Sequence, residues 1–441
     1  MSKILPFRGI VYNQSTAGDV NDLVCPPYDI ISPTEQKALY RKNPHNVVRL
    51  EFGLESPGDT DQDNRYTRAA ALLEEWSRAG VLRRHSSPAF YLYEMEYAAG
   101  DRTKRLRGFL CMVRIEDYDS GMVLPHESTL SGPKADRLKL LRACRAGFSQ
   151  IFSLFSDPDG AISRFLDKTS GQPEREAQDG DNVRHRIWTF DDEQDIQAIS
   201  QAMADKPFFI ADGHHRYDTA LNYRNERRSA QGSFTGDEEY NYVAMFMARL
   251  EDPELTILPA HRILFNLEGF HPRQFEDDLN SYFNIERIDF TDTSESANRQ
   301  TILDTMARRA ERSHVFGMRV KGEQSYYLLT LRNDADMDAL IPDKSAAYRM
   351  LDVSILHHLV IDKLLGIKMA THKLGLNIEY TKDADEAVNR IDEGTADVAF
   401  FMNPTKVDEV KTVAGSGERM PQKATYFYPK LLTGLVMNKI D

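Results

Sequence analysis

A chain of 441 residues with 41% hydrophobic and 28% charged positions has room for two or three packed domains, which excludes a mainly disordered protein. Its 55 Lys and Arg against 68 Asp and Glu leave a formal charge of −13. That argues against a dedicated duplex-DNA binder, which neutralises phosphates with a basic face, but leaves room for a local basic pocket holding a small phosphorylated ligand. Cys25, Cys111 and Cys144 are far apart and form no CxxC pair, so neither a disulfide framework nor a thiolate zinc site is signalled. The opening MSKILPFRGIVYNQ lacks the sustained apolar run of a secretory signal, and the longest apolar runs have only a strand's length. The expectation is a soluble, cytoplasmic protein with no membrane partner.

In chain order, hydrophobic spacing predicts strands over 7–12 and 46–52 and helices over 34–41 and 64–79. Segments 89–97 and 105–115 predict a hairpin with a Gly100, Asp101 tip and a turn somewhat longer than two residues. After Gly132 and Pro133 the run KADRLKLLRACRA predicts a helix, proline fitting its first turn. A strand follows at 150–155, and 168–183 is polar enough to read as an exposed loop inside a domain. A helix over 192–204 leads to a strand over 207–211, and strands follow at 242–250 and 255–264. From about 270 the pattern predicts helices at 273–282, 294–310 and 353–365 and strands at 284–290, 314–320, 325–331 and 398–402. The fold class is therefore mixed α/β (α+β), with an N-terminal α/β region over 1–265 and a C-terminal α+β domain over 266–441.

Three segments carry chemistry. In FFIADGHHRYDTALNYR (208–224) an apolar strand ends at Asp212 and Gly213 and a helix begins. Glycine lets the backbone pass close to a ligand, and unpaired first-turn N–H groups with the helix dipole make an anion site. Arg216 can grip phosphate through two parallel bonds, and His214 or His215 can donate to phosphoryl oxygens. Asp212 can orient a nucleophilic hydroxyl or hold Mg²⁺. The competing reading is a plain helix start with two surface histidines.

In LPHESTLSGPKADRLKLL (124–141), His126 and Glu127 follow a proline and lack the second histidine of a helical HExxH metal motif. Glu127 as a base, the hydroxyls of Ser128 and Thr129, and the cations Lys134 and Arg137 are what phosphoryl transfer requires. Solvated helix cations and a surface glutamate are the alternative. In RMPQKATYFYPKLLTGLV (419–436), Lys423, Tyr426, Tyr428 and Lys430 either fold back over a nucleotide or belong to a docked C-terminal element with snorkelling lysines. Tyr28 and Asp29 in VCPPYDIIS can line a pocket or merely shape it; His261, beside Arg262, can reach the same crevice but reads first as a core or edge histidine, and His357 and His358 read as core histidines.

PFRGIVYN, CPPYDIIS, LPHESTLSGPKADRLKLL, FFIADGHHRYDTAL and MPQKATYFYPKL together resemble, in order and along nearly the whole chain, the domain of unknown function 1015 family, often labelled SpoOJ/ParB-like. More distantly, a His-Glu loop, a strand, then Asp-Gly-His-His-Arg opening a helix is similar to the ParB/sulfiredoxin superfamily. Members bind nucleotide phosphates on the second loop, and some are kinases of free serine. The resemblance implies a ParB/sulfiredoxin-like core over about 120–265, with Gly213, His214, His215 and Arg216 as the phosphate loop. It also implies Glu127 as the catalytic glutamate and Asp212 as the acid opening the loop. The chain departs from those relatives in three ways: no loop cysteine, no basic reader helix, and about 85 residues between its first two motifs.

The expected function is a phosphotransferase that moves phosphate from ATP or ADP, with Mg²⁺, to a small hydroxylated metabolite, free serine first. Asp212 or Glu127 would take the hydroxyl proton, with His126 beside them. Arg216, Lys134, Arg137, Lys423 and Lys430 would hold the phosphates. The rivals are a nucleotide-regulated binding or scaffold protein without turnover, a metal-dependent hydrolase built on His126, Glu127, Asp212, His214 and His215, and last a partition-type DNA binder.

Overall fold

Aromatic and aliphatic residues run almost unbroken through 90–99 and 106–113, and this hairpin forms the middle of the larger sheet. The computed structural model describes residues 3–440 except 130, 168–170, 292 and 369–376. The larger sheet has nine strands. They are β1 (Ile4–Leu5), β2 (Phe90–Ala99), β3 (Arg102–Arg114), β4 (Val123–Pro125), β5 (Ile151–Phe155), β6 (Arg175–Gln178), β7 (Arg184–Phe190), β8 (Phe208–Asp212) and β9 (Tyr242–Arg249). Their order is β4-β8-β5-β9-β3-β2-β7-β6, with β1 added alongside β3. The pairs β4–β8 and β5–β9 are parallel and the other pairs antiparallel, so the sheet is mixed.

One face of this sheet buries Phe90, Phe109, Met245, Phe208 and Ile210 against Ile199 and Met203 of the helix Glu193–Met203 and Tyr217 and Ala220 of the helix His214–Gln231. Each fully buried side chain of the larger kind contributes about 1.5–3 kcal/mol. A separate apolar cluster gathers Trp76 and Leu73 of the helix Arg65–Arg78, Val47, Val48 and Leu50, and Leu140 and Cys144 of the helix Ser131–Cys144. All three cysteines are free and buried.

The chain divides into two compact units. One comprises 1–125, 129–256 and 429–441, and the other 126–128 and 257–428. The second contains an antiparallel six-stranded sheet, ordered Phe283–Asp289, Ser325–Leu331, Val315–Val320, Val398–Phe401, His261–Leu264, Ile378–Thr381. Helices Glu295–Arg309 and Ala384–Asp392 bury Ile302, Met306, Val388 and Ile391 on it. No helix among the described residues is long and apolar enough to cross a membrane.

Several local expectations change. Residues 46–52 are not a strand: the Asn46 side chain accepts the Val48 N–H and donates to the carbonyls of Asp22 and Val24, fixing the short helix Val48–Glu51. The 90–114 hairpin closes through Gly100 and Asp101 alone, because Ala99 pairs with Arg102 and Gly100 takes φ +60°. Within the polar stretch 168–183, of which 168–170 lie outside the described residues, Arg175–Gln178 pairs as β6. Pro259 has no N–H to donate, and the expected strand over 255–264 is split into Thr256–Leu258 and His261–Leu264.

Candidate functional site

Strand β8 is apolar until its last residue. A register shift against β5 between Ile210 and Asp212 re-aims that end of the strand, and Gly213 follows with φ +94°. Gly213 is the residue preceding the helix His214–Gln231 and offers no side-chain cap. A side chain there would meet its own loop, because a Cβ would stand 2.8 Å from Arg216 Nε. Gly213→Ala should therefore cost about 1–2 kcal/mol for the left-handed backbone and displace the Arg216 guanidinium. The check is a lowered urea midpoint by tryptophan fluorescence.

The Asp212 carboxylate is shared by two cations. Arg216 Nη2 donates to Oδ2 at 2.5 Å, and Lys430 Nζ donates to Oδ1. Arg216 Nη1 also donates to the Gln150 carbonyl. All three charged side chains are largely enclosed, at 16% exposure for Asp212, 10% for Arg216 and 14% for Lys430. The remaining chain around Lys430 is pinned by backbone bonds between Thr433 and Cys25, and by the Leu432 N–H donating to Tyr93 Oη.

The other cations expected on a phosphate have different partners. Arg137 lies buried in the first unit, where Nη1 donates to the Glu51 carbonyl at 2.8 Å and Nε to Asp136 at 2.7 Å. Its guanidinium sits 4.1 Å from the centre of the Tyr28 ring, and the Glu51 carboxylate is 3.4 Å away. This corrects the expectation that Arg137 presents itself to a ligand: its donors are committed to an internal ion cluster. Arg65 extends that cluster through Asp136 at 2.5 Å. Burial raises the Tyr28 hydroxyl, as does Asp29, while Arg137 and Arg216 oppose the shift, so both guanidinium charges act on this tyrosine. Arg137, Arg216, Glu51, Ser149 and Thr219 line a half-open cavity of about 70 Å³, room for a few waters.

Lys134 Nζ is 3.4 Å from Asp218, which also accepts Tyr118 Oη at 2.5 Å and Thr129 Oγ1 at 2.6 Å. Sequence reasoning missed Asp218. The available signal was its spacing: it stands four residues after His214, on the same face of the helix; its burial appears only in the structure. Strands β4 and β8 run parallel with Ile210 opposite Pro125, so the segments leading to Thr129 and to Gly213 leave the same end of the sheet. His214 is buried and His215 half-buried.

His126 and Glu127 belong to the second unit. The His126 ring is fully buried, with Nε2 2.8 Å from Thr425 Oγ1 and its ring against Phe427. His126, expected beside the catalytic carboxylates, is thus enclosed by its own unit. Glu127 Oε1 accepts the backbone N–H of Lys423, whose φ is +54°. The Lys423 carbonyl in turn accepts Arg262 Nη2 at 3.1 Å. The structure thus uses the Lys423 backbone to hold Glu127. Burial lowers the Arg262 guanidinium below its ordinary value, opposed by Tyr380 and Glu127.

A family model described as a protein of unknown function, DUF1015, matches residues 4–354. The chain belongs to this family. No curated protein matches it. Among solved structures, the DUF1015 chain is similar to a conserved hypothetical protein from Pyrococcus furiosus at 12% identity and TM-score 0.31, covering 71% of this chain and 92% of that one. It is similar to a mutant free serine kinase in complex with ADP at 11% identity and TM-score 0.35, covering 73% and 89%. A C-terminally truncated SbnI from Staphylococcus aureus gives 12% identity and TM-score 0.35, covering 74% and 85%. Likeness this loose leaves the function of the DUF1015 protein to its own residues.

Proposed function

We propose that this protein is a nucleotide-dependent phosphotransferase acting on a small hydroxylated metabolite, with a ParB/sulfiredoxin-like nucleotide-binding core over about 120–265. The observation that carries the reading is the start of the helix His214–Gln231. A glycine at positive φ precedes it, so the N-cap residue itself brings no side chain, and Arg216 and Lys430 converge there on one carboxylate. A helix N-terminus beside two cations suits a phosphate group.

In this reading the nucleotide phosphate takes Arg216 and Lys430 from Asp212 and releases the carboxylate. The bond from the terminal phosphorus of ATP or ADP to its bridging oxygen breaks, and a bond to the acceptor's hydroxyl oxygen forms. The hydroxyl proton passes to Asp212, while the two cations offset the charge on the transferred group. Without ligand both Asp212 oxygens are engaged by cations; once these move to the phosphate, the freed carboxylate is the group that would hold Mg²⁺, and no step is routed through the ion. Free serine is the first candidate acceptor, on the resemblance of the two loop motifs.

The test is incubation with ATP or ADP, magnesium in the buffer and a panel of hydroxylated metabolites including serine, followed by mass spectrometry for phosphorylated products. A product is expected from the native chain. Arg216→Ala should reduce both nucleotide affinity and product about 10–100-fold, the worth of one charge-assisted phosphate contact. Bound nucleotide with no product across the panel would instead favour a nucleotide-regulated binding protein, with the Lys430–Asp212–Arg216 contacts as its switch.

A further inference from the structure

The segment Ile355–Leu364 of the second unit winds as a π-helix and ends with the Leu365 N–H bonded to the Val360 carbonyl, a five-residue step. A π-helix has roughly 4.4 residues per turn instead of 3.6, which changes the side chains that share a face, and such turns recur at functional sites. On an α-helix, residues five apart diverge. Here His357 and His358 both flank Asp362 from one turn below. His357 Nε2 is 3.7 Å and His358 Nδ1 3.6 Å from the same oxygen, Asp362 Oδ2. The three donor atoms all lie within 4.8 Å of one another.

Ligands bound about 2.0–2.2 Å from a tetrahedral ion stand roughly 3.3–3.5 Å apart, so side-chain adjustments of under about an ångström bring these donors onto one ion. The second nitrogen of His358, Nε2, lies 3.2 Å from the Tyr348 hydroxyl, which orients the ring with Nδ1 toward Asp362. A histidine held by its far nitrogen is the usual support for a metal ligand. The three side chains retain 19%, 21% and 30% exposure, so an ion can reach them from solvent. The neighbouring Lys363 has its ammonium over the Tyr282 ring, 4.6 Å from the centre. The cluster lies beyond the span 4–354 matched by the family model.

We propose that His357, His358 and Asp362 bind one divalent transition-metal ion of the kind that prefers imidazole, such as Zn²⁺ or Co²⁺, with water completing its coordination. The site is separate from the phosphate chemistry argued above and does not depend on it. The test takes the full chain, treated with chelator and then titrated with Zn²⁺ and Co²⁺ alone. One ion per chain is expected, with Co²⁺ giving the visible absorption of a four- or five-coordinate site. Asp362→Asn and His358→Gln should each weaken binding at least tenfold, about the effect of losing one ligand, and Tyr348→Phe about tenfold through lost orientation. His271→Ala, an exposed histidine elsewhere, should leave binding unchanged. Absence of stoichiometric binding by the native chain, or equal binding by Asp362→Asn and His358→Gln, would overturn the assignment. If a variant fails to fold, X-ray absorption of the Zn²⁺-loaded native chain decides, since fewer than two imidazole ligands also overturns it.

Discussion

Arg137→Ala is expected to lower the stability of the first unit by about 3–5 kcal/mol, the range for removing one partner of a buried ion pair. Arg137 and Glu51 have side chains only 6% and 3% exposed, so neither charge can recover its solvation when the other is removed. The Ser149 hydroxyl, 2.8 Å from Glu51, is a weak substitute for a guanidinium. Both tryptophans, Trp76 and Trp188, lie in this unit, so urea unfolding followed by tryptophan fluorescence reports on it. The pH dependence has a definite sign. Burial raises the Glu51 carboxyl above its ordinary value, with Arg137 and Ser149 pulling the other way. A carboxyl raised in the folded state adds stability while protonated and loses it as pH climbs from the unfolded pKa through the folded one. Deleting Arg137 raises Glu51 further, so the penalty should be smaller near about pH 5 than near about pH 8. A penalty that shrinks with rising pH would refute the pairing. Arg137→Met combined with Glu51→Leu should recover much of the loss, because a well-packed apolar pair can replace a buried salt bridge.

The same cluster shows why part of the site was illegible in the sequence. Glu51 stands in the run 46–52, which looks like a strand because Val48, Leu50 and Phe52 alternate with Arg49 and Glu51, the period of a half-buried strand. The helix is instead accompanied by a contact the pattern does not show, the Asn46 side chain accepting the Val48 N–H at its first residue. Without the fold, Arg137 on a polar-looking helix is indistinguishable from a solvated cation. Long-range pairing is equally silent: nothing local to Lys430 announces Asp212, 218 positions away. The Asp-Gly-His-His-Arg junction could be read directly, because an apolar strand, a glycine and a helical period follow one another within a few residues. The long hairpin was legible for the same reason. Its turn was misjudged by the charged residues at 102–105, whose place in β3 rests on pairing with β2 rather than on their own apolarity. The segment 355–364 hides its character differently: its apolar residues suit an ordinary helix equally well, and nothing in their order announces the five-residue step that brings His357 and His358 onto Asp362.

Asp212→Asn should separate binding from turnover in opposite directions. In the structure this carboxylate satisfies both Arg216 and Lys430, the cations assigned to the nucleotide phosphate. Charge-assisted hydrogen bonds of this kind contribute about 1.5–3 kcal/mol each, so an arriving phosphate must displace a strong internal competitor. Asparagine keeps the shape and one acceptor but loses the charge. Nucleotide affinity is therefore expected to rise about tenfold, roughly 1.4 kcal/mol. Turnover should fall by roughly 10²–10⁴-fold, because the amide cannot take the acceptor's proton. Lys430→Ala makes the complementary case, weakening the nucleotide while leaving Asp212 paired with Arg216. Calorimetric titration with ADP, alongside the product assay, measures both quantities on the same preparations. Weaker nucleotide binding by Asp212→Asn would mean that the carboxylate organises Arg216 and Lys430 for the ligand and does not compete with it. The exchange step would then be wrong even if phosphate transfer were observed.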